Sequence, residues 1–318
     1  MWPRSRPDTQ HDIGRRLQRL ARVFPLERMA QERMGLAEVA SYYDVCFEAY
    51  RRHHSAEGAV HMALNEDGRF DAAGFRGQLE RIEAAWRAEP PRDVLELAFG
   101  QGFNLAFLAP RFPQARFAGL DLTPRNVAHV RDLLAGRGIA NVVLQEGDYH
   151  RLPWSGASFD QLYCIEALCH ALDTPRALAE AARVLRPGGA LTVFDGYLSR
   201  PLEGLPETEA LAVRLVAKGM AIERFQVADE FVAQAAAAGL KAERVQALDA
   251  QIMPSLKRLE RLTGAVVRWP WLGRRALARR HPMRGRNVLA GYLMRSLVAH
   301  GLLTYRHLVL RKPPAAST

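Results

Sequence analysis

The 318-residue sequence has only three cysteines, Cys46, Cys164 and Cys169. They are too few and too scattered for a disulfide framework or a thiolate metal cluster. Cys164 and Cys169 lie in or beside an apolar strand pattern, where the expected role is that of a small buried hydrophobe. No apolar run approaches the roughly 20 residues needed to cross a bilayer. The first residues lack the apolar stretch of a secretory signal, so a cytoplasmic location in a reducing compartment is expected. Acid is the scarcer charge: 34 Asp and Glu stand against 44 Lys and Arg, a formal net charge of +10. The excess, nearly all arginine, gathers in the first 24 residues and in 268–286, which holds seven arginines and no acid. Such basic stripes attract anionic lipid, nucleic acid or acidic substrates alike.

The chain is organised around 93–104, Asp-Val-Leu-Glu-Leu-Ala-Phe-Gly-Gln-Gly-Phe-Asn. A short apolar strand ends near Glu96, and a glycine turn then opens a helix. Gly100 and Gly102 let the backbone approach a ligand closely. A dinucleotide and S-adenosylmethionine (SAM) compete for such a turn. The dinucleotide fingerprint G-x-G-x-x-G/A, counted from Gly100, needs a small residue where Leu105 stands. A carboxylate at Glu96 repels a pyrophosphate and suits the charged amino-acid and sulfonium end of SAM.

Beyond Pro90-Pro91 the pattern alternates. Strands are expected over 93–98, 115–120, 141–145, 159–165 and 190–194, with later ones over 240–248 and 303–310. Helices fill the gaps, one after Thr123-Pro124 with Thr123 as N-cap and Pro124 at the first helical position. Another runs from Asp173-Thr174-Pro175 to 186–189. This predicts a doubly wound, mostly parallel, seven-stranded α/β sheet with ligands at the carboxyl ends of its strands. Glu96, Asp121 and Asp148 all fall at such ends.

The run 94–102 resembles the V-L-[DE]-x-G-x-G-x-G motif of class I SAM-dependent methyltransferases, with Ala98 in place of the first glycine. That exchange is mild if the backbone there has ordinary φ. Strand four continues as Tyr163-Cys164-Ile165-Glu166-Ala167-Leu168-Cys169-His170-Ala171-Leu172-Asp173. This resembles the I-E-A-T-C-H-A-P-D stretch of sterol C-methyltransferases and related small-molecule enzymes. Ser41-Tyr42-Tyr43-Asp44 resembles the Y-Y-D run that opens their substrate-side region. The aromatic-rich segment that follows in sterol enzymes is replaced by Arg51-Arg52-His53-His54-Ser55, which argues against a sterol itself. The resemblance covers roughly 40–200 and implies a Rossmann-like core. It also implies a cofactor-binding set of Glu96, Ala98, Gly100, Gly102, Asp121, Leu122, Asp148, Tyr149 and Ile165. In that set Asp121 takes the ribose hydroxyls and Asp148 the adenine amine, with Tyr149 or Leu122 against the ring.

Methyl transfer from a sulfonium needs mainly positioning. A carbon acceptor also needs cation stabilisation and a base. Glu166 and His170 are the candidate bases, and Tyr42 and Tyr43 candidates to line a cation pocket; Tyr43 joins Glu166 and His170 as the catalytic set. The plainer reading, that Glu166 and His170 only organise a turn, stays open. His53, His54 and His61 are expected to be solvated or hydrogen-bonded, and no metal site is assigned. The [DN]-P-P-[YF] run of base amino-methylation, the Pro-Cys of cytosine C5 enzymes and a C-x-x-x-C-x-x-C cluster are all absent.

Residues 1–35 are expected to be a basic tail or short surface helix, 36–89 a helical substrate cover and 90–200 the SAM-binding core. Residues 201–318 hold a helical cap from about 200, the last strands and a basic helical insertion over 251–301. Trp269-Pro270-Trp271 in that insertion suits a lid or pocket wall, a peripheral membrane contact through 268–286, or a packing or oligomer surface. The expected function is SAM-dependent C- or O-methylation of a small lipophilic molecule of isoprenoid, sterol-like or polyketide-like type. An RNA methyltransferase, a nicotinamide oxidoreductase and a non-catalytic SAM-binding protein remain as alternatives. Nucleic acid is not expected as a partner.

Overall fold

The computed structural model describes residues 7–278 and 281–315, with the side chains of all but 7, 8, 276–278, 282 and 284. The chain opens with a helical cover: α1 (Pro7–Ala21), α2 (Leu26–Ala30), α3 (Leu36–His53) and α4 (Gly77–Ala88). The core alternates β1 (Asp93–Leu97), α5 (Phe103–Leu108), β2 (Arg116–Asp121), α6 (Pro124–Gly136), β3 (Val142–Glu146), β4 (Phe159–Ile165), α7 (Thr174–Val184) and β5 (Leu185–Leu198). Then come α8 (Glu207–Gly219), α9 (Ala228–Ala237) and β6 (Lys241–Ala247). A helical excursion of α10 (Asp249–Arg268), α11 (Pro270–Ala278) and α12 (Pro282–Ala299) precedes β7 (Leu303–Arg311).

The seven strands form one sheet in the order β3-β2-β1-β4-β5-β7-β6. The first five pair in parallel, and β7 runs antiparallel between β5 and β6. This is the doubly wound, mostly parallel sheet expected. Every residue of β1 is buried, as a central parallel strand covered on both faces requires. One face packs Val94, Phe117 and Tyr163 under Trp86 of α4; the other packs Leu95, Leu120 and Leu162 under α7 and α9.

Several local expectations change. The motif Arg186-Pro187-Gly188-Gly189 belongs to β5, not to the end of a helix. Strand β5 also continues to Leu198, because β7 offers it a ladder partner from Ala190↔Arg311 to Leu198↔Leu303. The cap helix after β5 begins only at Glu207. Asp173 does cap α7, accepting the Arg176 N–H at 3.0 Å. Thr123 precedes α6 as expected, but its side chain makes no cap hydrogen bond to that helix.

Helix α1 is not a surface tail. Ile13, Leu17 and Leu20 are buried, and the helix packs against α8, α10 and α12. Arg16 bonds Asp12 at 3.0 Å and Glu260 of α10 at 2.5 Å; Arg295 of α12 bonds the other Glu260 oxygen at 2.7 Å. This half-buried network ties the two ends of the chain together. Residues 1–6 of the basic N-terminal stretch lie outside the described residues, as do Arg279 and Arg280 of the second one. No described helix is long and apolar enough to cross a membrane.

Candidate active site

A cavity of about 660 Å³ opens at the carboxyl ends of β1, β2 and β4. Tyr43, Ala98, Gly100, Asp121, Leu122, Asp148, Tyr149, Ile165, Glu166 and His170 all border it. The sheet thus brings together nearly every candidate named from the sequence. The exceptions are Tyr42, Glu96 and Gly102.

Asp121 organises the floor. Its Oδ2 accepts the Gly100 N–H at 2.8 Å. Its Oδ1 accepts the Thr123 N–H at 2.9 Å and the Asn126 amide at 3.0 Å. The Thr123 side chain adds a further hydrogen bond to the same carboxylate. Burial raises the pKa of this carboxyl, while the hydrogen bonds from Thr123, Asn126 and Gly100 pull it back. Asp148 is held by His150, whose N–H donates to Oδ1 at 2.9 Å and whose Nδ1 lies 2.6 Å from the same oxygen. The Tyr149 hydroxyl donates to the Ala167 carbonyl at 3.2 Å, which leaves its ring as cavity wall.

Glu96 needs correction. It is fully buried and does not reach the cavity. Asn104 donates to one oxygen at 2.7 Å and the Tyr163 hydroxyl to the other at 2.8 Å. Burial pushes its pKa up to about 8. Its place is beneath the turn, where it braces α5 against β4. Gly102 is corrected as well: its reason for lacking a side chain is packing. A Cβ there would stand 2.7 Å from Val130 of α6, and the backbone has φ +79°. Gly100, by contrast, borders the cavity with φ +55°.

On the opposite wall, Tyr43 of α3 lies 2.9 Å from His170 Nε2. His170 Nδ1 lies 3.2 Å from the Ala221 carbonyl. A carbonyl only accepts, so Nδ1 carries the proton and Nε2 accepts from the Tyr43 hydroxyl. Burial lowers the His170 pKa to about 4, which keeps the ring neutral. Tyr42 is corrected: it turns away from the cavity and bonds Asn287 of α12 and Tyr50. Glu166 adopts a left-handed backbone, φ +53°, at the end of β4. It accepts the Met62 N–H at 2.7 Å, and its pKa is pushed up to about 8, chiefly by burial, with Asp195 adding repulsion.

The sequence reading missed Asn126, Val60, Leu36 and Val39, which border the same cavity, and Asp195 behind Glu166. Asn126 had a local signal, two residues after the helix-opening Pro124. The others come from the cover helix and loop or from inside a strand, and had none. His54 and His61 form hydrogen bonds, as expected: His54 to the His61 carbonyl at 2.9 Å, His61 to the Met62 carbonyl and Asn104. Among the described residues no group of His, Cys, Asp and Glu is arranged to hold a metal ion.

With this geometry in hand, comparisons with known proteins agree. Residues 94–189 match a family described as methyltransferase domain. Over 120 residues the chain is 36% identical to a demethylmenaquinone methyltransferase of Deinococcus radiodurans, covering 38% of this chain and 49% of that protein. Over 148 residues it is 34% identical to 27-O-demethylrifamycin SV methyltransferase of Amycolatopsis mediterranei, covering 46% of this chain and 53% of that one. The chain spans about half the length of these curated relatives. A solved mycolic acid cyclopropane synthase superposes with a TM-score of 0.71 at 17% identity, covering 89% of this chain and all of that one. At that identity the likeness speaks for the fold.

Ala98, where the motif has glycine, carries φ +56°. The exchange is therefore not mild, since the left-handed region costs an alanine roughly 1–2 kcal/mol. Glycine's greater unfolded-state freedom offsets part of that. Ala98→Gly is expected to stabilise the fold by about 0.5–1 kcal/mol, read as a higher urea midpoint at unchanged slope.

Proposed function

We propose that this chain, whose residues 94–189 form a class I SAM-dependent methyltransferase domain, methylates a small lipophilic acceptor. The observation that carries this is the single cavity shared by the glycine turn, the strand-end carboxylates Asp121 and Asp148, and the group Tyr43, Glu166 and His170. The family match sets the nicotinamide alternative aside. Among the described residues no Lys or Arg borders the cavity, which favours a small molecule over RNA.

The residues present fit SAM. Asp121, at the cavity floor, suits a ribose hydroxyl, and Asp148 with its His150 support suits the adenine amine. Leu122, Tyr149 and Ile165 offer flat or apolar surface for the ring. The turn at Ala98 and Gly100 lies open to the amino-acid end. Once bound, SAM supplies a sulfonium-activated methyl group for displacement by an electron pair of the acceptor, with sulfur keeping the bonding pair.

The acceptor must then lose a proton. Glu166 is the proposed acceptor of that proton, because its carboxyl borders the cavity and takes only one backbone donor and the Tyr305 hydroxyl. In the same scheme His170 is a positioning residue: both ring nitrogens are engaged, so it orients the Tyr43 hydroxyl. The names of the relatives, a demethylmenaquinone and a demethylrifamycin methyltransferase, support an acceptor of isoprenoid or polyketide type.

A peripheral partner fits a second region. Trp269, Trp271 and Leu272 are 50%, 64% and 45% exposed at the α10–α11 corner and do not border the cavity. Aromatic and aliphatic side chains among arginines suit an anionic membrane surface. The chain is expected to sediment with vesicles containing phosphatidylserine at low salt and to be released by salt. Loss of that binding in a Trp269→Ala/Trp271→Ala double variant would bear it out; salt-insensitive or unchanged binding would speak against it.

Two measurements test the enzyme reading. Calorimetric titration with SAM and S-adenosylhomocysteine (SAH) should show saturable binding, weakened in Asp121→Ala by roughly 1–3 kcal/mol. Unchanged affinity in a folded variant would remove Asp121 from the site. The groups facing Glu166 are Asp195, Tyr43, Tyr50, Cys169 and Tyr305. A carboxyl with raised pKa is ionised, and so basic, only above that pKa. kcat/KM for the acceptor should therefore rise with pH and level off above about 8. In Glu166→Gln that rise should vanish and the rate drop by roughly 10²-fold or more.

A further inference from the structure

A second cavity, of about 450 Å³, adjoins the first, and Glu166 borders both. Its walls come mostly from the parts of the chain outside the matched domain. Met220 follows α8, Ile252 lies on α10, and Met294 and Val298 lie on α12; Met62, Phe225 and Leu303 add to the apolar lining. Three methionines make this wall adaptable to differently shaped hydrocarbon.

The polar groups at its edge have internal partners. Asp195 accepts the Cys169 N–H at 2.9 Å and the Gly196 N–H at 2.8 Å. Thr304 donates to Asp249 at 3.0 Å. The Tyr305 hydroxyl accepts from Gln78 at 3.2 Å. Among the described residues no Lys, Arg or His borders this cavity, and its two carboxyls are those of Glu166 and Asp195. Glu166 stands at the junction in a left-handed conformation that disfavours any residue with a side chain. Such strain persists where the surrounding structure and the use of the side chain demand it.

We propose that the second cavity holds the hydrocarbon body of the methyl acceptor, that the reacting atom is presented at Glu166, and that this body carries no phosphate, diphosphate or carboxylate. An apolar wall gains from burying hydrocarbon. An anion placed there would lose its hydration and meet the Asp195 carboxylate and, among the described residues, no cation. The inference rests on the methyltransferase reading for the word acceptor, but the cavity's selectivity is measured independently of it.

The test uses the full chain and a fluorescent neutral probe, 1-aminoanthracene, with SAH added to saturation so that the first cavity is filled. The probe should brighten on binding and be displaced by 1-decanol at a concentration roughly ten-fold or more below that of decyl phosphate. Met294→Trp, which fills the cavity, should weaken probe binding by roughly ten-fold while SAH affinity stays within about two-fold. Val298→Phe serves the same purpose should the tryptophan variant not fold. Asp195→Asn should narrow the gap between decanol and decyl phosphate. Equal displacement by the two compounds, or full probe binding in both filling variants, would overturn the proposal. The titration is repeated without SAH. Failure of the protein to bind SAH therefore counts against the methyltransferase reading alone, while the probe still reports on the second cavity.

Discussion

The carboxylate of Asp121 is the constraint on which the site depends. It ends β2, and its two oxygens hold the turn after β1 through Gly100, the entry to α6 through Thr123, and the first turn of α6 through Asn126. Three elements that the sheet only brings near one another are thereby fixed at one edge. A buried carboxylate is costly unless hydrogen bonds compensate it. Here backbone and amide donors do so, and they also fix the shape of the cavity floor. Val130 filling the space a side chain at Gly102 would need draws α6 tightly onto the same turn.

A core of this kind makes half a site. The other half comes from the ends of the chain. Tyr43 reaches from α3 to His170, and Met62 from the loop before α4 to Glu166. Met220, Ile252 and Met294 arrive from beyond β5. These two sets of additions are tied to each other as well as to the core. Asp12, Arg16, Glu260 and Arg295 link α1 to α10 and α12, and Tyr42 with Asn287 links α3 to α12. The cover is thus one packed layer drawn from both termini, and the second cavity lies between it and the sheet.

The buried ionisable groups follow from this enclosure. Glu96 and Glu166 are both pushed up to about 8 and Asp195 to about 6, each chiefly by burial. Their neighbourhoods differ. Glu96 has both oxygens taken by side-chain donors and braces the turn from below. Glu166 and Asp195 face open space. Perturbation alone does not mark a reactive group; position against a cavity separates the two cases.

Much of the core was legible in the sequence. The alternation of apolar strands and capped helices is a local pattern, and a strand-end carboxylate is placed by the strand that carries it. Asp121, Asp148, Tyr149, Glu166 and His170 could therefore be named in advance, and the cavity gathers them. What a strand's end does not reveal is where its neighbours' side chains point. The inward turn of Glu96 depends on Asn104 and Tyr163, the reason for Gly102 on Val130, and the strain at Ala98 on the turn's closure. The insertion of β7 between β5 and β6, the packing of α1 and the methionine-lined cavity join residues up to nearly three hundred positions apart. Local periodicity fixes which face of an element is apolar. Which faces meet is decided only when the whole sheet and both ends of the chain compete to bury them together, and that choice belongs to the tertiary structure.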